Sequence, residues 1–206
     1  MPRVEPANGI SWKRGLPRLI RWLHTYLSMV SFALVFFFAA TGLTLNHADK
    51  FGGEVRTRQD KGTLNPQWVK GPDTNHVAKL EIVEYLRNTH RITAAVSDFR
   101  IDDAQVSVSF KGPGYAADVF IDRETGRYDI GQTSAGFIGL INDLHKGRDT
   151  GDAWRVFIDI SALLLVLISL TGILLLLYLR RRRLPGLVVA ALGTILAWLI
   201  YIIWVK

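Results

Sequence analysis

Three apolar blocks of about 20 residues each constrain this 206-residue chain more than any other feature. They cover residues 22–46, 154–179 and 185–205, and charged residues flank them. A helix of about 20 apolar residues crosses the roughly 30 Å hydrocarbon core of a bilayer. The first block is too long for the apolar region of a signal peptide, which has about 7–15 residues. We therefore predict three transmembrane helices, the first of them uncleaved.

Basic residues mark the ends of the blocks that should face the cytoplasm. Five of them precede the first block and four separate the second from the third: Arg3, Lys13, Arg14, Arg18, Arg21 and Arg180 to Arg183. Cytoplasmic flanks of membrane helices are enriched in such residues. We therefore predict a multi-pass protein of the bacterial inner membrane. Its cytoplasmic parts are an arm (1–21) and a loop (180–184), and its periplasmic parts are a domain (47–153) and the C-terminus.

The net charge of +7 comes from these membrane flanks. Once the cytoplasmic clusters and Lys206 are set aside, the rest of the chain holds more acids than bases. A nucleic-acid partner needs a basic face on the folded part, so we expect no nucleic acid. Arginines at the cytoplasmic surface suit anionic lipid headgroups. The expected partners are the lipid bilayer and, within it, another protein or a second copy of this chain.

The chain has no cysteine, which limits the redox chemistry open to it. Covalent c-type haem attachment, thiolate-bound iron–sulfur clusters and disulfides are all excluded. Any redox centre must be held by histidine, methionine or oxygen ligands. The sequence also lacks a nucleophile elbow, a Walker loop and a dinucleotide fingerprint. A self-sufficient hydrolase or flavin dehydrogenase is therefore not expected.

The segment between the first two blocks has the pattern of a small α+β domain. Residues 54–73 are polar, carry two prolines and are expected to be irregular. Residues 74–89 repeat apolar side chains at three-residue steps, which predicts an amphipathic helix with Asp73 or Thr74 as its N-cap. A second helix is predicted at 134–147, before the second span.

Strands are predicted between these two helices. Val106, Val108 and Phe110 alternate with polar residues, which is typical of a half-buried strand. The predicted strands are 96–101, 105–111, 115–122 and 127–130, with turns at 112–114 and 123–126. The resulting fold class is three transmembrane α-helices plus one helix on an antiparallel sheet.

Two parts of the sequence resemble a known family. The segment VFIDRETGR (119–127) resembles the PepSY domain, in which an Asp-x-x-Thr-Gly turn joins two strands. The segments RWLH (21–24), Thr41-Gly42 and LINDLHKGR (140–148), followed by Trp154 and Asp159, resemble PepSY-associated transmembrane proteins. The resemblance covers nearly the whole chain from residue 18, and the block 140–172 is its most specific part.

The resemblance implies a range of functions. PepSY domains are linked with peptidase inhibition in secreted propeptides. Membrane-associated relatives include iron-regulated proteins and siderophore-related reductases, some resembling di-haem electron carriers that usually have four or more spans. We therefore expect an accessory haem-binding or electron-relay component of a membrane redox or iron-related system, a non-catalytic subunit or electron carrier rather than an enzyme. The alternative is a non-catalytic periplasmic binding or regulatory module, either peptidase-inhibitor-like or a complex-assembly subunit.

Histidines are the candidate ligands. His24 lies at the cytoplasmic end of the first span and His47 at its outer end. Their separation is about 35 Å along a helix, so the two cannot share one site within a chain. His145 precedes the second span on the outer side and is able to approach His47. His76 and His90 flank the predicted domain helix and are expected to be solvated surface residues.

Three interpretations of these histidines stay open. In the first, His47 and His145 bind b-type haem, and His24 is a ligand only together with another chain. In the second, His47, Asp49, Asp143 and His145 hold a single iron, copper or zinc ion. In the third, His47 and His145 bind no cofactor and form hydrogen bonds beside the headgroups.

Two other features of the spans have structural interpretations. Asp159 follows Arg155 by one helical turn, and we expect the two to form an ion pair; the alternative is that Asp159 orients a liganding histidine. Thr41-Gly42 and Thr171-Gly172 form a weak internal echo. Small residues of this kind let helices pack closely, which is the interpretation we give to both pairs.

Overall fold

The structure is a computed structural model that describes residues 12–70 and 76–205. It divides into two compact units. One comprises the chain up to Phe36 and the chain from Asp159 onward, and the other is Phe37–Ile158. The start of the predicted cytoplasmic arm and the predicted N-cap residues, Asp73 and Thr74, lie outside the described residues.

The elements follow one another from helix to sheet and back to helix. The helices are α1 (Trp12–Asn46), α2 (Ala48–Phe51), α3 (Lys79–His90), α4 (Gly136–Lys146), α5 (Gly151–Tyr178) and α6 (Arg183–Ile200). The strands are β1 (Arg56–Thr63), β2 (Ala95–Ile101), β3 (Gln105–Gly112), β4 (Tyr115–Asp122) and β5 (Arg127–Ser134). A 3₁₀ turn lies at Pro66–Trp68, and a π-helical turn at Tyr201–Val205 extends α6.

Three helical segments are long and apolar enough to cross a membrane, as predicted. They are Gly15–Asn46, Gly151–Tyr178 and Arg183–Val205, with mean hydropathies of 1.9, 2.8 and 2.4. The first helix begins before the predicted span and continues through Pro17. Pro17 lies in the second turn of α1, so its missing N–H removes one backbone hydrogen bond near the start of a long helix.

The spanning helices bury few of their side chains. In the first unit the buried residues are Ile20, Ser31, Ser161 and Thr171. Three of these four are small and polar, which lets helix backbones approach closely. Helix α6 has no buried residue, so its apolar surface suits a lipid environment.

The second unit contains a five-stranded antiparallel sheet in the order β1-β5-β4-β3-β2. The sheet confirms the predicted antiparallel α+β architecture and adds one strand to it. Residues 54–73 were predicted to be irregular, and this is wrong for Arg56–Thr63, which pairs with β5 along its whole length. Strand β1 is an edge strand whose side chains are nearly all exposed. It therefore has no apolar alternation that a sequence pattern could reveal.

Helix α3 packs on one face of this sheet. Its buried residues are Ile82, Val83 and Leu86, and they belong to the same hydrophobic core as the fully buried Val106, Val108 and Phe110 of β3. The helix begins at Lys79, later than predicted. The three-residue steps predicted for this helix run through Val77, Leu80, Val83 and Leu86, yet Leu80 is 70% exposed. The buried face therefore follows the 3.6-residue helical repeat rather than three-residue steps.

The Asp-x-x-Thr-Gly turn between β4 and β5 is held by its own side chains. The Asp122 carboxylate accepts hydrogen bonds from the backbone N–H and the hydroxyl of Thr125, both at 2.7 Å. These bonds lower the pKa of the Asp122 carboxyl. Gly126 has a φ of +70°, and a Cβ there would lie 2.8 Å from the Leu64 carbonyl oxygen. The motif therefore has a structural explanation, because each of its named residues shapes the turn.

Candidate functional site

His145, on α4, is held against α1 by a threonine and a glycine. Its Nδ1 lies 2.8 Å from the Thr41 hydroxyl oxygen. That hydroxyl donates its hydrogen to the Phe37 carbonyl oxygen, one turn earlier in α1, at 2.7 Å. When the single hydrogen of the threonine hydroxyl is given to the Phe37 carbonyl, Nδ1 of His145 is the donor in its bond to Thr41.

The His145 ring lies directly over Gly42. A Cβ built at Gly42 would be 3.3 Å from the His145 Cε1 atom, which is tighter than an ordinary van der Waals contact. The Phe38 ring stands edge-on to the imidazole with centroids 5.5 Å apart. We call His145, Thr41 and Gly42 the His145 cluster.

His24 has an equivalent environment in the first unit. Its Nδ1 lies 3.0 Å from the hydroxyl oxygen of Thr171 on α5, which itself donates to the Leu167 carbonyl oxygen at 2.8 Å. A Cβ at Gly172 would again be 3.3 Å from the imidazole Cε1. We call His24, Thr171 and Gly172 the His24 cluster.

His47 lies at the junction of α1 and α2 and is partly exposed. Its Nδ1 donates to the Leu43 carbonyl oxygen at 3.2 Å, and its ring meets Phe51 edge-on. His47 and His145 share no hydrogen bond or ring contact in the part of the chain that the structure describes. Their predicted pairing therefore stays a prediction.

The predicted carboxylate ligands have other surroundings. One oxygen of Asp143 accepts the Gly114 backbone N–H at 2.8 Å, and the other lies 4.0 Å from the Arg148 guanidinium. Asp49 is exposed on α2. Among residues 12–70 and 76–205, no three histidine, aspartate or glutamate side chains form a group that could hold a metal ion.

Helix α4 connects the sheet to the C-terminal part of α1 and the start of α5. Its Asn142 accepts a hydrogen bond from the Thr44 hydroxyl at 3.1 Å. The Trp154 indole N–H donates to the Leu144 carbonyl oxygen at 2.9 Å. Asp143 is hydrogen-bonded to Gly114 and His145 to Thr41. Each of the four residues from Asn142 to His145 therefore takes part in a hydrogen bond to another element. Sequence reasoning selected this segment through the family resemblance but did not identify its partners.

Arg155 was predicted to pair with Asp159, but it forms its ion pair with another aspartate. Arg155 bonds to Asp152 at 3.1 Å, three residues earlier in α5. Both residues of that pair are exposed, and Asp159 is exposed as well. Arg155 therefore pairs toward the start of the helix, and away from its more apolar part.

His90 is bonded through the opposite ring nitrogen. Its Nε2 lies 2.9 Å from the Tyr128 hydroxyl, so it is not the simple solvated residue that we predicted. The pKa of His90 is lowered, and burial is the largest cause. The Asp60 carboxylate acts in the opposite direction, and the Arg58 guanidinium lowers the pKa further. Burial, together with Tyr85, raises the pKa of Tyr128 to about 12. His76 is exposed, as predicted.

This geometry predicts that the sheet domain loses stability in mild acid. A depressed pKa means that the unfolded chain takes up the His90 proton first, so stability falls as the pH drops below about 6.5 toward the folded-state value. Hydrogen exchange of β1 and β5 amides in the full chain, compared between pH 7.5 and pH 5, measures this effect. The His90→Gln variant should show a smaller acid loss; an unchanged pH profile in that variant would contradict the prediction. Asp122 titrates at lower pH and does not interfere.

The sheet face opposite α3 is open. Two shallow grooves of about 610 and 750 Å³ lie beside Phe120, which is 52% exposed. Both grooves are lined by Lys61 and Asp129, which pair with each other at 2.8 Å. A binding or regulatory module would offer such a face to a polypeptide partner.

Comparison with known proteins identifies one family. The family model described as PepSY_TM-like matches residues 18–206. Comparison with curated proteins and with solved structures gave no match. The matched region contains most of the first apolar helix, all of the other two, the sheet and both histidine clusters, and the chain therefore belongs to the PepSY_TM-like family.

Proposed function

We propose that this protein is an accessory membrane component that binds b-type haem through histidine Nε2 atoms and relays electrons. The observation that carries the proposal is the common orientation of three imidazoles. His24, His47 and His145 each place Nδ1 within hydrogen-bond distance of an oxygen atom, which is a threonine hydroxyl for His24 and His145 and a backbone carbonyl for His47. No hydrogen bond reaches their Nε2 atoms within the described residues.

This donor set fits a haem iron. An imidazole that donates from Nδ1 and remains neutral keeps its lone pair on Nε2, the form that ligates iron. A hydrogen bond at the other nitrogen is the usual support for a liganding histidine. His145 and His47 would be the ligands near the outer end of α1. His24 would ligate only together with a histidine of another chain.

A bound haem would supply a one-electron centre whose potential depends on its ligands and surroundings. The residues of the chain hold the imidazoles by hydrogen bonds at Nδ1 and place an aromatic ring edge-on beside two of them, Phe38 beside His145 and Phe51 beside His47. The chain has no sulfur ligand from cysteine, so imidazoles are the strongest iron ligands that it offers.

The test is the absorption spectrum of the full chain purified in detergent, before and after reduction by dithionite. A Soret band with a reducible α-band is the expected result. Where the purified protein lacks haem, titration with hemin should produce the same bands at a defined stoichiometry. A protein that stays colourless and takes up no hemin would overturn the proposal and favour the binding-module alternative.

The proposal includes an orientation, which rests on the two arginine-rich clusters. Arg18 and Arg21 precede the first apolar stretch, and Arg180 to Arg183 lie between α5 and α6. We expect the sheet domain and the C-terminus to face the periplasm of a bacterial inner membrane. Alkaline phosphatase fused at residue 130 or after residue 206 should be active, and fused at residue 182 inactive. A cytoplasmic reporter that is active at residue 130 would contradict this orientation.

A further inference from the structure

The two histidine clusters are built alike from residues far apart in the chain. In each, a threonine hydroxyl meets Nδ1, at 2.8 Å for His145 and 3.0 Å for His24. In each, the next residue is a glycine whose missing Cβ would be 3.3 Å from Cε1. The histidine lies 104 residues after its threonine in one cluster and 147 residues before it in the other.

Bonding to the helix backbone leaves these hydroxyls free to accept a hydrogen bond from the imidazole. The Thr41 and Thr171 hydroxyls each donate to a carbonyl four residues earlier in their own helix. The oxygen lone pairs then remain for an incoming N–H. The Nδ1–H tautomer is favoured because both bonds then form at once, whereas in the Nε2–H tautomer the hydroxyl has to leave the carbonyl in order to donate to Nδ1.

Glycine sets the position of each ring. The imidazole lies against the helix backbone at the glycine. A Cβ there, 3.3 Å from Cε1, would push the ring away from the threonine hydroxyl. Gly193 on α6 shows that glycine in these helices is not always in contact, because a Cβ there would have no described atom within 4 Å. The contacts at Gly42 and Gly172 are therefore features of these two positions and not of every glycine in the apolar helices.

We infer that Thr41-Gly42 and Thr171-Gly172 are positioning residues that fix the tautomer and place the Nε2 atoms of His145 and His24. The inference rests on the proposed haem-binding function for its purpose, but its geometry is independent of haem. A hydrogen bond donated from Nδ1 also makes Nε2 a more basic ligand. The threonines act only through the histidines and do not touch the ligand themselves.

The first test needs no haem. The full chain, labelled with ¹⁵N-histidine and held in detergent without haem, reports the protonated ring nitrogen through its ¹⁵N chemical shifts. We expect His145 and His24 in the Nδ1–H form. Thr41→Val should lower the ratio of Nδ1–H to Nε2–H at His145 about three- to tenfold, the effect of one lost hydrogen bond. Thr41→Ser should retain the wild-type ratio, and Thr171→Val should act in the same way on His24.

Thr194 provides a matched control. Its hydroxyl donates to the Ala190 carbonyl oxygen at 2.9 Å, as the other two threonines do in their helices, but no described imidazole is bonded to it. Thr194→Val should leave both tautomers unchanged. A wild-type protein with the Nε2–H form at both histidines, or a Thr41→Val variant with an unchanged ratio, would overturn the inference.

The second test uses hemin. Loss of a hydrogen bond that supports a ligand typically costs about 10- to 100-fold in affinity, so Thr41→Val should weaken hemin binding by about that factor while Thr41→Ser and Thr194→Val do not. Thr41→Val should also raise the reduction potential, because a less basic imidazole stabilises ferric iron less. If the ¹⁵N shifts behave as expected and the wild-type protein binds no hemin, the proposed function fails while the assignment of tautomer and ring position stands. Unchanged hemin affinity and potential in Thr41→Val would overturn the ligand-positioning role.

Discussion

His145→Ala and His47→Ala are each expected to abolish bound haem while the protein still inserts into the membrane. Each change removes a proposed ligand, and neither shortens an apolar span. Haem content per mole of protein, from the pyridine haemochrome spectrum, should fall at least about tenfold, since even residues that only support a ligand give losses of 10- to 100-fold. His76→Ala is the control and should keep the full haem content.

His145→Ala also removes the bond to Thr41, so loss of haem alone would not separate a ligand from a structural residue. Exogenous imidazole separates the two. In the His145→Ala variant, exogenous imidazole should occupy the vacated volume over Gly42. It should then ligate the iron in place of His145 Nε2 and restore the haem spectrum. Full haem retention in both alanine variants would remove this pair as ligands. Loss without rescue by imidazole, accompanied by increased proteolysis, would assign His145 a structural role.

The fold was predictable wherever a repeat distinguished a buried face from an exposed one. Strand β3 shows this best, because Val106, Val108 and Phe110 are fully buried and their polar neighbours are not. Strand β1 was missed because an edge strand that buries almost nothing needs no apolar residues. Its pairing is made by backbone groups, which every residue carries. Helix α3 was found, but its start was placed too early because Val77 is buried before the helix begins.

The candidate site was predictable only in part. Sequence reasoning selected His24, His47 and His145, and it noticed the repeated Thr-Gly pairs. It could not join a histidine to a threonine 104 or 147 residues away, because helix rotation about the axis decides which side chains meet. The available signal was the repetition itself. The sequence has two Thr-Gly pairs in two apolar helices, and histidines lie near the ends of other apolar segments. The structure has two clusters, one for each Thr-Gly pair.

Helix α4 gives the domain a physical connection to His145. The Gly114 amide at the β3–β4 turn donates to Asp143, and the Gly114 carbonyl accepts the Ala135 N–H at 2.9 Å. Two residues beyond Asp143, His145 meets Thr41. A change in the β3–β4 turn therefore reaches the imidazole through one short helix.

Gly114→Ala is consequently expected to disturb both the turn and the histidine. Gly114 has a φ of +69°, and a Cβ there would lie 2.8 Å from the backbone nitrogen of Leu140 in α4. The positive φ costs roughly 1–3 kcal/mol for a residue with a side chain. The clash adds about 1–3 kcal/mol of overpacking, because a backbone atom cannot move aside as a side chain can.

Gly136→Ala is the matched control for this prediction. Gly136 has a similar φ of +62°, but a Cβ there would meet nothing within 4 Å, so this variant carries the backbone strain without the clash. Hydrogen exchange of α4 amides in the full chain should accelerate about five- to 150-fold more in Gly114→Ala than in Gly136→Ala, as expected for an added 1–3 kcal/mol. The Nδ1–H signal of His145 should weaken only in Gly114→Ala. Equal effects in both variants would show that α4 moves independently of the turn, because strain alone would then account for the exchange.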